Sequence, residues 1–515
     1  MRDVSTQLLV GGRIYAPDAT AMAVTDGVVV WIGQDSVGHA LHPDAEVVEL
    51  DGAFVAPAFV DAHVHATSAG LLLTGLNLTK TSSVDDLLEQ VRSAEGPLVW
   101  GHGWDETRWP ENRPPTRAEI DEAARGKTVY LSRIDVHSAL VSSDLISDEA
   151  RAADGFSADG PLSRAAHHHV RGTAKAAITP EQRQAAQLAF LNYAASKGIA
   201  SVHECAGPDI SGEDDLRELL ALTEGPEVVA YWGAHDLPDV PVRGLAGDHF
   251  VDGAIGSRTA ALTEPYADAG TSGALYLDGR QIADHLVKCT ELGIQAGFHV
   301  IGDAAMAAVI EGFSLAEKAL GTAELASARH RLEHVEMVTK EQAEKLAGWG
   351  VVASVQPLFD AEWGGPTGMY VQRLGDERGV GLNPFSRLAA AGVVLAFGSD
   401  TPVTAIDPWA AVKAAVHHKT DGHGVSPRAA FTAHTRGGWR AAGVNDGLTG
   451  TLQPGAPATY AVWETGDLVV AGSDARVQRW STDPRSGVPG LPDLTGPAPV
   501  CVRTVLNGRT IYERK

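Results

Sequence analysis

Between residues 59 and 399 the chain repeats one pattern, a short apolar run with strand character followed by a longer, helix-like stretch. Eight such runs lie near 59–65, 199–205, 228–233, 246–252, 293–299, 329–334, 351–356 and 393–399. Segments 181–197, 303–320 and 340–348 read as helices, the first stopped by Gly198 and the second closed by Gly321 at the C′ position. Strands alternating with helices build a parallel sheet. Eight units fit an α/β fold of the (β/α)8 TIM-like barrel type, whose functional side chains gather at the C-terminal ends of the strands. A doubly wound sheet would give no reason for so many polar residues at strand ends.

At 515 residues the chain exceeds a single core, so further domains are expected. Residues 7–57 alternate apolar and polar positions between the turn pairs Gly11-Gly12, Asp26-Gly27 and Asp51-Gly52, which reads as a small antiparallel β unit. The runs 458–463, 468–470 and 502–512 look alike. Both ends are therefore expected to combine into one small β-sandwich domain, 1–57 with 445–515, with the barrel at 58–444 between them. An excursion at about 66–180 is too long for a plain connection and is expected to be an inserted lid subdomain over the barrel mouth. The Pro/Gly-rich stretch 484–498 reads as a loop.

A formal charge of -24 opposes nucleic acid or an anionic membrane surface as a partner, because both need clustered Lys and Arg. Three cysteines, Cys205, Cys289 and Cys501, make no disulfide framework. The start carries no signal-peptide pattern and no apolar run is long enough to span a bilayer, so a cytoplasmic protein acting on a small molecule is expected.

The run Val60-Asp61-Ala62-His63-Val64-His65 places two imidazoles at positions i and i+2 of a strand, on one side of it, pre-set to share an ion. Later runs end in His299, His334 and Asp400. Each alone has a structural reading: a hydrogen-bonded histidine, or an aspartate capping the next turn. Four imidazoles and a carboxylate at one barrel mouth together point to a metal, and nitrogen and oxygen donors favour zinc or another divalent transition ion over magnesium or calcium. His167-His168-His169 reads as a solvated loop, since consecutive residues do not face one ion.

These segments resemble the amidohydrolase superfamily, specifically the YtcJ-like members of amidohydrolase family 3. The resemblance runs through Val60–His65, Phe250-Val251-Asp252-Gly253, Ser257-Arg258-Thr259-Ala260, His299-Val300-Ile301-Gly302-Asp303, Leu332-Glu333-His334 and Phe397-Gly398-Ser399-Asp400-Thr401-Pro402. It also includes Gly103-Trp104-Asp105 and Arg133-Ile134-Asp135-Val136-His137, so it covers nearly the whole chain in order.

The resemblance implies that His63, His65 and Asp400 hold a first metal. His299 and His334 would hold a second or complete a single site, giving one or two ions per chain. Where the family usually carries a lysine that can be carboxylated to bridge two metals, this chain has Asp248, a shorter arm with two oxygens. Asp252, Glu204 and Cys205 are rival replacements, Cys205 equally a small buried filler. Asp400, with His334 beside it as a second catalytic residue, would take the proton of an attacking water.

The implied reaction is hydrolysis of a C–N bond in an amide or N-acyl small molecule. The alternatives are deamination of a heterocycle, opposed by the lack of a His-x-x-Glu run after the fifth strand, and a catalytically silent binding protein on the same barrel. Substrate contacts are assigned to Trp104, His137, Arg258 and Gln356, although the tryptophan could be packing and the arginine paired with a structural acid. The resemblance also leaves room for a homo-oligomer.

Overall fold

In the computed structural model, which describes residues 6–133, 138–208, 210–470 and 489–515, the eight apolar runs become one parallel sheet. Its strands are β1 (Phe59–Val64), β2 (Ile199–Ala206), β3 (Glu227–Trp232), β4 (Gly244–Leu245), β5 (Gln295–Val300), β6 (Arg331–His334), β7 (Val352–Val355) and β8 (Val394–Phe397), hydrogen-bonded in that order. The sheet curls back on itself. Asp400 N–H donates to the His63 carbonyl at 2.8 Å, His65 N–H donates to the Thr401 carbonyl at 3.0 Å, and Val64 bridges Thr401 in parallel. The barrel expected from the sequence is therefore present. Every residue of β1, β2, β5, β6 and β7 is buried, as parallel strands covered on both faces require.

The expected helices form at Pro180–Ser196, Asp303–Leu320 and Lys340–Gly348, the last opened by a reciprocal Thr339–Gln342 capping box. The fourth strand is shorter than the expected run 246–252 and lies just before it. Regular pairing covers Gly244–Leu245 alone, because Gly247 turns left-handed at φ 81 and is packed so tightly that a Cβ there would lie 2.9 Å from Cys205 Cβ. The chain then returns to the sheet edge at Phe250, which bridges His299.

The two ends of the chain share sheets. Phe54–Pro57 pairs antiparallel with Tyr460–Glu464, which pairs in turn with Val500–Leu506 and then Arg509–Glu513. A second sheet contains Val28–Gly33, Ala21–Thr25, Thr6–Val10 and Glu46–Glu49. It is mixed rather than purely antiparallel: helix Asp35–Leu41 carries the chain across, so Glu46–Glu49 returns parallel to Thr6–Val10. Leu9, Met22, Val29, Val55, Val462 and Val505 meet in one core drawn from both ends.

Residues Ala66–Phe190 form their own compact unit around a five-stranded sheet, in the order Leu162–Ser163, Ser138–Val141, Thr128–Arg133, Leu98–Trp104 and Leu76–Asn77. The three consecutive histidines lie on helix Arg164–Ala176 of this unit, not in a loop. His167 is buried there with its Nε2 2.8 Å from the Tyr130 hydroxyl, while His168 and His169 are exposed. No described helix is long and apolar enough to cross a membrane.

His434 locks the first barrel strand from behind. Its Nδ1 lies 2.9 Å from the Val60 carbonyl, and its ring packs edge-on to Phe59. Burial pushes its pKa down to about 4. An unfolded histidine titrates near 6.5, so the unfolded state takes up the proton first and stability falls as pH drops from about 6.5 toward 4. Between pH 7 and 5 this one residue is expected to remove about 2 kcal/mol of unfolding free energy. Denaturant unfolding at both pH values checks this: His434→Gln should show a pH loss smaller by about that amount.

Candidate metal centre

Six side chains from five parts of the barrel converge, with Asp248 at their centre. His63 Nε2 lies 3.7 Å from Asp248 Oδ1, His299 Nδ1 3.2 Å and His334 Nε2 3.8 Å, while His65 Nε2 lies 3.2 Å from Asp248 Oδ2. Asp400 Oδ1 stands 3.5 Å from His63 Nε2 and 3.2 Å from His65 Nε2. The ligand-type atoms of His63, Asp248 and His334 lie within 4.8 Å of one another, as do those of His63, His65 and Asp400. The two groups share His63. All six are residues singled out from the sequence.

Local backbone explains the convergence. His63 and His65 follow the i, i+2 rule of the extended chain. On β6 the same rule would send Glu333 and His334 to opposite faces. The pleat breaks there, because His334 has φ 69 and Val335 φ 50, and the imidazole reaches Asp248. Left-handed backbone is costly for a β-branched residue such as Val335, and costs of this kind collect at functional sites. Asp400 is left-handed too, at φ 54. Its approach to β1 needs Gly398, where a Cβ would lie 2.6 Å from the His63 backbone nitrogen.

The site is dry and strongly charged. Side-chain exposure is 0% for His63, 7% for Asp248, 9% for Asp400 and 12% for His65. Burial alone would depress the His65 pKa, but its contacts with Asp248 and Asp400 outweigh that and raise it to about 9. Burial would likewise raise Asp248 and Asp400; the surrounding histidines instead hold both below the usual carboxylate range. Two ionised carboxylates sealed among imidazoles require positive charge, from protons or from a cation. Among the described residues, His63 Nε2, His334 Nε2 and Asp400 Oδ1 are buried without a hydrogen-bond partner. Orphaned donors of metal-ligand type, grouped around a carboxylate, fit a divalent ion.

Three of the four remaining imidazole nitrogens are held, while His65 Nδ1 is buried without a hydrogen-bond partner among the described residues. His334 Nδ1 lies 2.8 Å from Gln356 Oε1, and His299 Nε2 lies 3.2 Å from the Gly253 carbonyl. His63 Nδ1 lies 2.9 Å from Glu333 Oε2. Glu333 in turn accepts from Arg331 Nε at 2.6 Å and Nη2 at 3.0 Å. A third group, His63, Cys205 and Glu333, also brings ligand-type atoms together. It is a poor cation site, since the Arg331 guanidinium already neutralises Glu333. Burial pushes the Cys205 thiol up to about 12, so it stays protonated and favours the filler reading.

Sequence reasoning gave Arg331 and Glu333 no role; the only sequence signal was a charged i, i+2 pair inside an otherwise apolar run. Asp61 was also missed. Its carboxylate accepts from Ser399 N–H at 2.9 Å and His63 N–H at 3.3 Å, tying β1 to the segment that carries Asp400.

The rival carboxylates have other work. Asp252 accepts three backbone N–H groups, from Ala261, Ile301 and Gly302, at 2.8 to 3.0 Å, and so fastens the loop after β4 to the end of β5. Glu204 is buried in β2 and, among the described residues, belongs to none of the ligand groups.

The substrate-contact assignments fare unevenly. Trp104 is corrected: it is fully buried in the core of the Ala66–Phe190 unit, donates its indole N–H to the Leu131 carbonyl at 2.9 Å, and offers no surface to a ligand. Arg258 makes a two-pronged pair with Asp268, at 2.9 and 2.7 Å, and Arg373 shares that acid. Gln356 is the partner of His334. His137 lies outside the described residues.

Residues 46–512 match the family model described as the amidohydrolase family. The chain is 27% identical to the putative amidohydrolase YtcJ of Bacillus subtilis, over 80% of this chain and 83% of that one. It is 23% identical to the N-substituted formamide deformylase of Arthrobacter pascens, over 84% and 87%. Among solved structures, an uncharacterized metal-dependent hydrolase from Pyrococcus furiosus superposes with a TM-score of 0.75 at 26% identity, covering 89% of this chain and 98% of that one.

Gly398→Ala tests the seam that brings Asp400 to the histidines. The clash is with backbone, so it is expected to cost about 1–3 kcal/mol and to lower bound metal, measured by unfolding and elemental analysis. Gly172→Ala, whose Cβ would meet open space on helix Arg164–Ala176, should change neither property for the worse.

Proposed function

The chain belongs to the amidohydrolase family, and on that premise we propose that it is a metal-dependent hydrolase cleaving the C–N bond of an amide or N-acyl small molecule. The observation that carries this reading is the cluster of partnerless ligand atoms, His63 Nε2, His334 Nε2 and Asp400 Oδ1, grouped around the Asp248 carboxylate. His63, His65 and Asp400 would hold one ion and His299 and His334 a second or the same one, with Asp248 common to both. The donor set suits zinc or a similar divalent transition ion. Such an ion, when bound, lowers the pKa of water toward neutrality and polarises a carbonyl oxygen.

The chain's own residues supply the rest. The Asp400 carboxylate takes a proton from the attacking water and returns it to the leaving nitrogen. Water's oxygen bonds to the carbonyl carbon, the C–N bond breaks, and a carboxylic acid and an amine leave. His334 contributes as a ligand whose imidazole Gln356 holds in place. Burial of five of the six side chains, with His65 only 12% exposed, keeps bulk water away from the charges. The amide reading is favoured over deamination by the run His299-Val300-Ile301-Gly302-Asp303, which has no glutamate to act on a ring nitrogen. The similarity to an N-substituted formamide deformylase supports the same bond class.

The test is chelator-stripped protein, reconstituted separately with zinc, manganese and cobalt, and assayed on N-substituted formamides, N-acyl amines and aminated heterocycles. Amine release that returns with metal is expected, and Asp400→Asn should lower kcat by about 10²–10⁴-fold. Ammonia release from heterocycles without amide cleavage would replace the proposal by deamination. In the same preparations Asp248→Ala should lower the metal content per chain.

A further inference from the structure

We infer that the buried Arg331–Glu333 pair is a positioning device that fixes the proton of His63 on Nδ1 and so commits Nε2 to the metal centre. The inference rests on the reading of His63 as a ligand. Arg331 and Glu333 are both fully buried on β6, outside the set of residues assigned to bind or react. A guanidinium has five N–H donors and no acceptor, and an ionised carboxylate only accepts. Arg331 spends its donors on Glu333, on the Ala62 carbonyl at 2.7 Å and on Ser354 Oγ at 3.1 Å, and its Nη1 lies 3.1 Å from His203 Nδ1. Its flat face lies 4.1 Å from the centre of the Tyr231 ring. Held from both sides, the guanidinium cannot turn, and neither can the carboxylate bonded to it twice.

Glu333 Oε2 therefore presents a fixed acceptor to His63 Nδ1 at 2.9 Å. Nδ1 must carry a proton to use that bond. The opposite nitrogen, Nε2, is the one that faces Asp248 and Asp400 without a hydrogen bond. Outer partners of this kind set which imidazole nitrogen is available to a metal and how basic it is. Gln356 plays the same part for His334 with a neutral amide. Among the described residues, only His63 of the four histidines is backed by a charge, and only His63 belongs to both the Asp248–His334 and the His65–Asp400 ligand groups.

The discriminating variant is Glu333→Gln. Arg331 would claim the amide oxygen, the amide NH2 would face His63 Nδ1, and His63 would be driven to carry its proton on Nε2. Zinc affinity, measured by competition with a chromophoric chelator, is expected to fall about 10- to 100-fold. The double variant Arg331→Met with Glu333→Gln frees the amide to turn its oxygen toward His63 and leaves no unpaired buried charge, so it should regain affinity over the single variant. A single variant within about twofold of wild type, or a double variant weaker than the single, overturns the inference.

Should Glu333→Gln not fold, the double variant decides: binding within about tenfold of wild type is expected, and loss of binding contradicts the inference. The metal-free wild type gives an independent readout. With 15N-labelled histidine, a hydrogen-bonded Nδ1–H of His63 should be visible, identified by its loss in His63→Gln, and its absence overturns the inference. A wild type that binds no zinc would instead remove the metal-centre reading, leaving the Nδ1 proton to decide the role of Glu333.

Discussion

A guanidinium sealed inside a barrel must be matched in charge and in every hydrogen bond, because one buried charge left unpaired costs several kcal/mol. Arg331 meets that demand through Glu333 and through contacts reaching Ala62 on β1, His203 on β2, Tyr231 on β3 and Ser354 on β7. Four strands besides its own are thus registered to one planar ion. Burial and the nearby guanidinium hold His203 neutral, so its Nδ1 can accept from Arg331. From this hub a single chain of contacts runs upward, Arg331 to Glu333 to His63 to the Asp248–Asp400 cluster.

Above the hub, the cluster collects side chains that regular strands would scatter. The left-handed backbone at His334, Val335 and Asp400 is the local cost of bringing a strand-six imidazole and a strand-eight carboxylate to the same point. The irregular path after β4, beginning at Gly247, is what delivers the Asp248 carboxylate among four histidines. Asp61 and Asp252 hold that geometry from outside, each spending its oxygens on backbone N–H groups of neighbouring loops.

Much of this was legible in the sequence, for specific reasons. Fully buried parallel strands are unbroken apolar runs, so β1, β2 and β5 could be read within one or two residues. His63 and His65 declare themselves by i, i+2 spacing, and His299, His334 and Asp400 by ending such runs. β4 was placed too late, at 246–252 instead of Gly244–Leu245, because the apolar Phe250-Val251 looks like a strand while the backbone has already left the regular ladder at the left-handed Gly247. Trp104 was misassigned because an aromatic beside glycines looks the same in sequence whether it faces a ligand or a core. Arg331 and Glu333 were invisible as a pair: nothing in a sequence reveals that two charges on one strand point into the sealed interior rather than toward solvent.

A divalent metal held by Asp248 and the histidines around it would be located by crystals grown with zinc, with anomalous diffraction recorded on both sides of its absorption edge. One or two anomalous peaks are expected in contact with the Asp248 carboxylate, with His63 bound through Nε2 and His299 through Nδ1. No peak at Asp248, or a peak on the Cys205 and Glu333 side of His63, would contradict the metal-centre reading.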